Sequence, residues 1–177
     1  MKNVLLPTDL TVQSLRPVHD IVDDAKGQPV TIHVVHFISM PSSITDLLFI
    51  NRSKPFNAIP AKFSEAFQLL RNKYQGVVDK ISFDFIFCSS SQYLNNFIEA
   101  NNIEAVYMLK DYNYVRLLKQ SENFLPCFNK CKVPVHKLTM QPETIGEYQN
   151  LSALLNGNEP LKTNTPRRKE QTAVSYS

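Results

Sequence analysis

Lys2-Asn3-Val4-Leu5-Leu6-Pro7-Thr8-Asp9-Leu10-Thr11 is the stretch that decides the fold. Its centre, Val4 to Leu6, is a short unbroken apolar run, the pattern of a strand covered on both faces. Pro7-Thr8-Asp9 then ends the run with residues that favour turns. A strand buried on both sides belongs at the middle of a sheet, so the rest of the chain has to supply neighbours and two covering layers.

Thr11 or Ser14 can cap a helix that runs to about Lys26, with Leu15, Val18, Ile21, Val22 and Ala25 on one stripe. Pro17 falls near its first turn, where proline is tolerated, and Gly27 stops it. Val30 to Ile38 is rich in β-branched residues and reads as a second central strand. The segment Ser39 to Pro60 holds three prolines and one apolar cluster, Leu47 to Ile50. It reads as a long excursion with one short helix at Ser43 to Phe49, of the kind that serves as a lid or contact surface. Phe63, Ala66, Phe67, Leu70 and Tyr74 recur at helical spacing over Ala61 to Gln75, and Gly76 ends that helix.

Ile81 to Cys88 reads as a third strand, with Phe83, Phe85 and Phe87 alternating with other residues. One of Ser89, Ser90 and Ser91 caps a third helix reaching Asn102, with Leu94, Phe97, Ile98 and Ala100 apolar. Glu104 to Leu109 is a fourth strand. Asn113 to Lys130 reads as a fourth helix, with Val115, Leu118 and Phe124-Leu125 inward and Pro126 kinking it. Val133 to Leu138 is a fifth strand. Strands alternating with helices imply an α/β fold, a doubly wound parallel sheet with helices on both faces. After Leu138 the texture changes. Residues 140–156 read as a short helical extension and 157–177, almost without large apolar residues, as a disordered tail, leaving 1–139 as the domain.

The chain is 43% hydrophobic and 20% charged, ordinary for a globular protein. Its 19 basic and 16 acidic residues leave a net +3. That balance does not draw nucleic acid by bulk attraction, so no nucleic-acid partner is expected. Three cysteines, Cys88, Cys127 and Cys131, do not make a disulfide framework. No Cys or His pair supplies further ligands to Cys127 and Cys131, so no metal site is expected. With no apolar run long enough to span a bilayer and no signal-like start, a cytoplasmic protein without a membrane partner is expected.

The ordered motifs resemble a family. The opening ending Pro7-Thr8-Asp9-Leu10-Thr11 is similar to that of universal stress proteins, Ile32-His33-Val34-Val35 to their second strand, and Val133-Pro134-Val135 to their last. The resemblance covers Met1 to about Thr139. It implies strand order 3-2-1-4-5 in a Rossmann-like sheet, and a homodimer through the last strand, Val133 to Leu138. It also implies a crevice between strands 1 and 4, the topological switch point, lined by Thr8, Asp9, His36, Phe37, Leu109 and Lys110. ATP-binding members follow strand 4 with Gly-x-x-Gly and, after about nine residues, Gly-Ser or Gly-Thr, because backbone N–H groups must approach phosphate closely. Here Leu109 and Tyr112 stand at the first two glycine positions and the third falls near Gln120-Ser121. The resemblance therefore implies a divergent member with no cofactor, one that does not hold ATP in the family manner.

Thr8, Asp9, His36, Leu109, Lys110 and Tyr112 are the candidate cleft residues. Asp9 could meet a ligand or cap its own turn. His33 reads as a core histidine, His19 as a solvated one, and His36 as near enough to the strand end for a cleft role. His136 and Lys137 sit on the last strand. Lys110, Arg116 and Lys119 could attract an anion or form a solvated helix face. The Ser89 to Ser91 run lacks the Gly-x-Ser-x-Gly setting and an evident His-Asp pair. No catalytic constellation emerges. The expected function is a non-catalytic binding or interaction protein in stress adaptation, the alternative a nucleotide or other small-molecule binder using the cleft.

Overall fold

A computed structural model describes residues 2–40, 43, 56–87 and 90–139. Strand β1 (Lys2–Thr8) holds the apolar run, and Val4, Leu5 and Leu6 are fully buried. It pairs in parallel with β2 (Val30–Ile38) along its whole length, from Lys2 opposite Val30 to Thr8 opposite His36. On its other side it pairs with β4 (Ala105–Lys110) only at Val4 and Leu5. Strand β3 (Lys80–Phe87) lies outside β2, and β5 (Val135–Thr139) outside β4. The order is β3-β2-β1-β4-β5, all parallel, as the resemblance implied.

The brevity of the β1–β4 pairing has a local cause. The Lys2 amide donates to Pro29 in front of β2, and the Asn3 carbonyl accepts from Glu104 in front of β4. By alternation, the backbone groups of Leu5 and Pro7 also face β4. Pro7 has no N–H to give, so the ladder toward β4 cannot continue through it. The two strands part above Leu5 and Val106, and the crevice opens at the carboxyl end of the sheet.

One core lies under α1 (Pro17–Ala25) and α2 (Ala61–Lys73). It gathers Val4, Leu6, Ile32 and Val34 with Val18, Ile21, Phe63, Ala66 and Leu70. The α1 stripe is as the spacing dictates, with Pro17 at the first helical position. The helix stops because Lys26 (φ 48°) and Gly27 (φ 80°) both turn left-handed. The second core lies under α3 (Ser91–Ala100) and a 3-10 turn (Leu125–Lys130), and gathers Leu5, Val35, Phe37, Leu94, Ile98, Val106 and Phe128. Ala100, expected inward, is exposed. His19, expected solvated, is half-buried and shares a hydrogen bond with the Tyr74 hydroxyl across α1 and α2.

The fourth helix does not form. Residues 111–124 cross the carboxyl end of the sheet as an irregular strap, and only the 3-10 turn Leu125–Lys130 follows. The apolar stripe is too thin to hold a helix down. After Val115 and Leu118 the next inward turn would carry Ser121 and Glu122. Leu118 and Phe124 do pack inward, but Val115 and Leu125, expected inward, are 41% and 42% exposed. Of the excursion's proposed helix at Ser43 to Phe49 only Ser43 is among the described residues; Cys88 and everything beyond Thr139 lie outside them. Within them no helix is long and apolar enough to cross a membrane.

Candidate functional site

The crevice expected between β1 and β4 is crossed by the strap, which is fastened at both ends of its span. Where β1 ends, Asp9 is 1% exposed. Its Oδ1 accepts from the Thr11 amide (3.0 Å) and the Thr11 hydroxyl (2.6 Å), an Asx turn that closes the β1 exit. Its Oδ2 accepts from the Tyr112 hydroxyl (2.9 Å) and the Val115 amide (3.0 Å), both on the strap. The Thr11 and Tyr112 hydroxyls also touch each other at 2.8 Å. Asp9 caps its own turn, and it reaches into the crevice, where the groups it meets belong to this chain.

The exit itself is tight. The Thr8 hydroxyl accepts from the Leu10 amide (3.1 Å) and lies 2.6 Å from the Ser14 hydroxyl. Leu10 is buried at φ 67°, a left-handed conformation that is unusual for a leucine. The hydrogen bonds of Thr8 and Asp9 on either side of it hold the backbone there.

At the far end the strap joins β2. The Ser39 amide donates to the Gln120 carbonyl (2.8 Å), and the Glu122 amide donates to the Phe37 carbonyl (2.9 Å). Ile38 and Ser121 form an antiparallel bridge. Backbone groups that a helix would have paired internally are satisfied against β2 instead. His36, 2% exposed, ties the join to β1. Its Nδ1–H donates to the Thr8 carbonyl (2.8 Å), and its Nε2 accepts from the Ser121 hydroxyl (2.9 Å), which in turn accepts from the Leu118 amide (3.1 Å). The Thr8 carbonyl fixes a proton on Nδ1, and a neutral imidazole satisfies both contacts. Burial accordingly holds the His36 pKa below its usual value, against the opposing pull of the Thr8 carbonyl and Asp9. The ring stands edge-on to Phe85 at 5.6 Å.

Along the middle of the crevice, the Tyr114 hydroxyl accepts from the Leu109 amide (3.0 Å), a crevice-facing group that β1 no longer reaches. Burial, helped by the charge of Asp9, pushes the Tyr114 phenol up to about 12, against the Leu109 hydrogen bond. Burial also raises the Tyr112 pKa, with Thr11 opposing and Asp9 assisting. Both phenols stay protonated at neutral pH, as the Tyr112 bond to Asp9 requires. The left-handed position after β4 falls on Asp111 (φ 55°), not on Leu109 or Tyr112, where the family register puts the glycines. Aspartate tolerates that conformation better than most residues.

Of the expected cleft residues, the structure brings Thr8, Asp9, His36 and Tyr112 together. Leu109 contributes its backbone amide. Lys110 is exposed at the end of β4, where it sits opposite Thr139 of β5. Phe37 packs into the second core. Arg116 and Lys119 are exposed on the strap and lie on no helix. Sequence reasoning took Thr11 and Ser14 only as helix caps, Ser121 only as a glycine-equivalent position, and left Tyr114 unremarked. The signal available for Tyr114 was an aromatic residue with a polar tip just past the strand end. A cavity of about 190 Å³ remains beside the strap, lined in part by Asp9, His36, Asn113, Arg116, Ser121 and Glu122. It is smaller than the roughly 300 Å³ at which ligand pockets usually begin. Among the described residues no group of three or more His, Cys, Asp or Glu side chains is placed to hold a metal ion, and none of their buried polar side-chain atoms lacks a hydrogen-bond partner.

No family model matches the sequence, and none of the curated proteins matches it. Solved structures are similar to it. One is the hypothetical protein MJ0577, the subject of a structure-based assignment of biochemical function. It matches at a TM-score of 0.52 and 12% identity, over 80% of this chain and 97% of that one. A universal stress protein from Archaeoglobus fulgidus matches at 0.48 and 12%, over 80% and 94%. A universal stress protein family protein from Arabidopsis thaliana with AMP bound matches at 0.46 and 12%, over 85% and 99%. Solved universal stress proteins are therefore among the structures this chain is similar to. At these identities the likeness speaks for the fold alone.

Proposed function

We propose that this chain is a universal stress protein-like binding and interaction protein with no chemistry of its own, and that it does not hold ATP in the family manner. One observation supports this above the others: the strap lies in the crevice, and its hydroxyl and amide donors, with those of Thr11, take both oxygens of Asp9. A ribose or phosphate entering there has to displace Tyr112 and the Val115 amide from a buried carboxylate. The absence of glycine where backbone would have to approach phosphate points the same way.

A second reading has one observation in its favour. The cavity of about 190 Å³ beside the strap has polar walls, including Asn113 and Arg116, and would suit a small polar molecule. Thermal-shift measurements with ATP, ADP, AMP and cyclic AMP at millimolar concentration test both readings. The proposal expects shifts below about 1 °C with every nucleotide, because a ligand stabilises the native state only in proportion to its occupancy. A rise of several degrees with one of them, absent from Asp9→Ala, would establish the cleft as a nucleotide site and end the proposal.

A further inference from the structure

A cavity of about 460 Å³ opens where α2 turns into β3, at the amino end of the sheet and so at the opposite end from the crevice. It is more than twice the size of the one beside the strap and falls within the range usual for small-molecule sites. Gln68, Arg71 and Asn72 stand at i, i+3 and i+4 on α2, so they share one face, and Gln75 extends that row in the turn that follows. The start of β3 forms the other wall. Val78 and Ile81, each 8% exposed, supply an apolar lining between the two.

The groove is firmly built, and its polar row is unengaged. The Val77 and Val78 amides both donate to the Tyr74 carbonyl at 3.0 Å, and the Asp79 amide donates to the Val30 carbonyl at 3.0 Å. The Asp79 carboxylate accepts from the Thr31 hydroxyl at 3.2 Å. Among the described residues, by contrast, no hydrogen bond holds the side chains of Gln68, Arg71, Asn72 or Gln75. The crevice is the reverse case, since the chain's own donors there take both oxygens of Asp9. Charge does not mark the groove for an anion. Arg71 and Lys73 lie in the last turn of α2, where the helix dipole places partial negative charge, and Asp79 adds a carboxylate to the other wall. What dominates is three carboxamides, each donor and acceptor at once.

We propose that this groove is a binding site for a neutral sugar of one or two rings. Adjacent hydroxyls on a sugar ring set a donor beside an acceptor. The carboxamides of Gln68, Asn72 and Gln75 meet such pairs with an N–H and a C=O, and the planar Arg71 fork donates to two oxygens at once. The carbon-bound hydrogens of the ring lie against Val78 and Ile81. A phosphate or dicarboxylate suits the groove less well, because the helix end and Asp79 both oppose it. The polar row is exposed, so binding is expected at a Kd of about 1–10 mM. This inference stands whether or not the crevice takes a nucleotide.

The test is an NMR titration of the isotope-labelled full chain with maltose, cellobiose and lactose, each to about 50 mM. At least one sugar should shift the side-chain amide signals of Gln68, Asn72 and Gln75 saturably, together with backbone amides of residues 75–81, and leave residues 109–122 unmoved. Gln68→Ala and Asn72→Ala, both at exposed positions of α2, should each weaken binding about five-fold, the worth of one hydrogen bond, with the rest of the spectrum unchanged. Ser64→Ala, exposed on α2 and outside the groove, should leave the affinity as it is. No saturable shift with any of the three sugars would overturn the proposal. So would sodium phosphate moving the same signals more strongly than the sugars, because charge would then be the selecting feature. An affinity unaltered in both groove variants would overturn it as well.

Discussion

Replacing Asp9 by alanine removes the anchor that fastens the strap to the end of β1, and its cost can be worked from the four bonds it breaks. The Val115 amide belongs to an exposed residue and can turn to water, and the Thr11 hydroxyl can donate instead to the Tyr112 oxygen 2.8 Å away. The Thr11 amide and the Tyr112 hydroxyl are in half-buried residues and lose a charged acceptor. Leaving a buried donor unmatched costs about 1–2 kcal/mol, so two of them cost about 3 kcal/mol together. Part of this is offset because the desolvated carboxylate is gone as well, and part is added by the gap left at a position 1% exposed. For a domain of this size each kcal/mol moves the melting temperature by roughly 3–4 °C, so Asp9→Ala should melt about 10 °C lower. Urea unfolding of the two proteins measures the difference directly. Asp9→Asn should fall between them, because Nδ2 would face the Val115 amide donor to donor. A loss below about 0.5 kcal/mol in Asp9→Ala, the range of ordinary surface substitutions, would refute the reasoning. Asp9 would then be a solvated group available to a ligand.

Three other outcomes are expected. His36 is held neutral in the folded protein with its pKa depressed, while the unfolded chain titrates near about 6.5, so below that pH the unfolded state binds the extra proton. Its contribution is full above about pH 6.5 and is lost as the pH falls toward the native value; urea midpoints taken from pH 8 to pH 5 should drop, and less so in His36→Gln. Tyr114→Phe should cost about 1–2 kcal/mol in the same assay, because the Leu109 amide, in a residue 5% exposed, loses its acceptor. Asp111→Gly should be neutral or stabilise by up to about 1 kcal/mol, whereas Asp111→Val should destabilise by about 1–2 kcal/mol, because a β-branched residue resists φ 55°.

The sheet was legible because its strands announce themselves locally. Val4 to Leu6 and Val30 to Ile38 are continuous apolar or β-branched runs, and the alternation of helix and strand gives a parallel sheet without further information. The α1 and α2 stripes were legible for the same reason. The strap was not, because no local pattern specifies it. Val115 and Leu118 sit at helical spacing, but the backbone between Asn113 and Phe124 is claimed by distant groups: the Asp9 carboxylate, the Phe37 carbonyl and the Ser39 amide. Tertiary acceptors of that kind override a weak helical stripe. At the site, the strand-end residues Thr8, Asp9 and His36 could be named from position alone. Ser121, which bonds His36, and Tyr114, which bonds the Leu109 amide, could not, since they come from the segment whose path was misread.

The central claim is that the crevice is occupied by the chain's own strap, and a crystal structure determined in millimolar magnesium-ATP tests it most directly. The account predicts the Tyr112 hydroxyl and the Val115 amide still on Asp9, with no nucleotide between β1 and β4. Ordered triphosphate beside residues 109–113, with the strap lifted from Asp9, would contradict it.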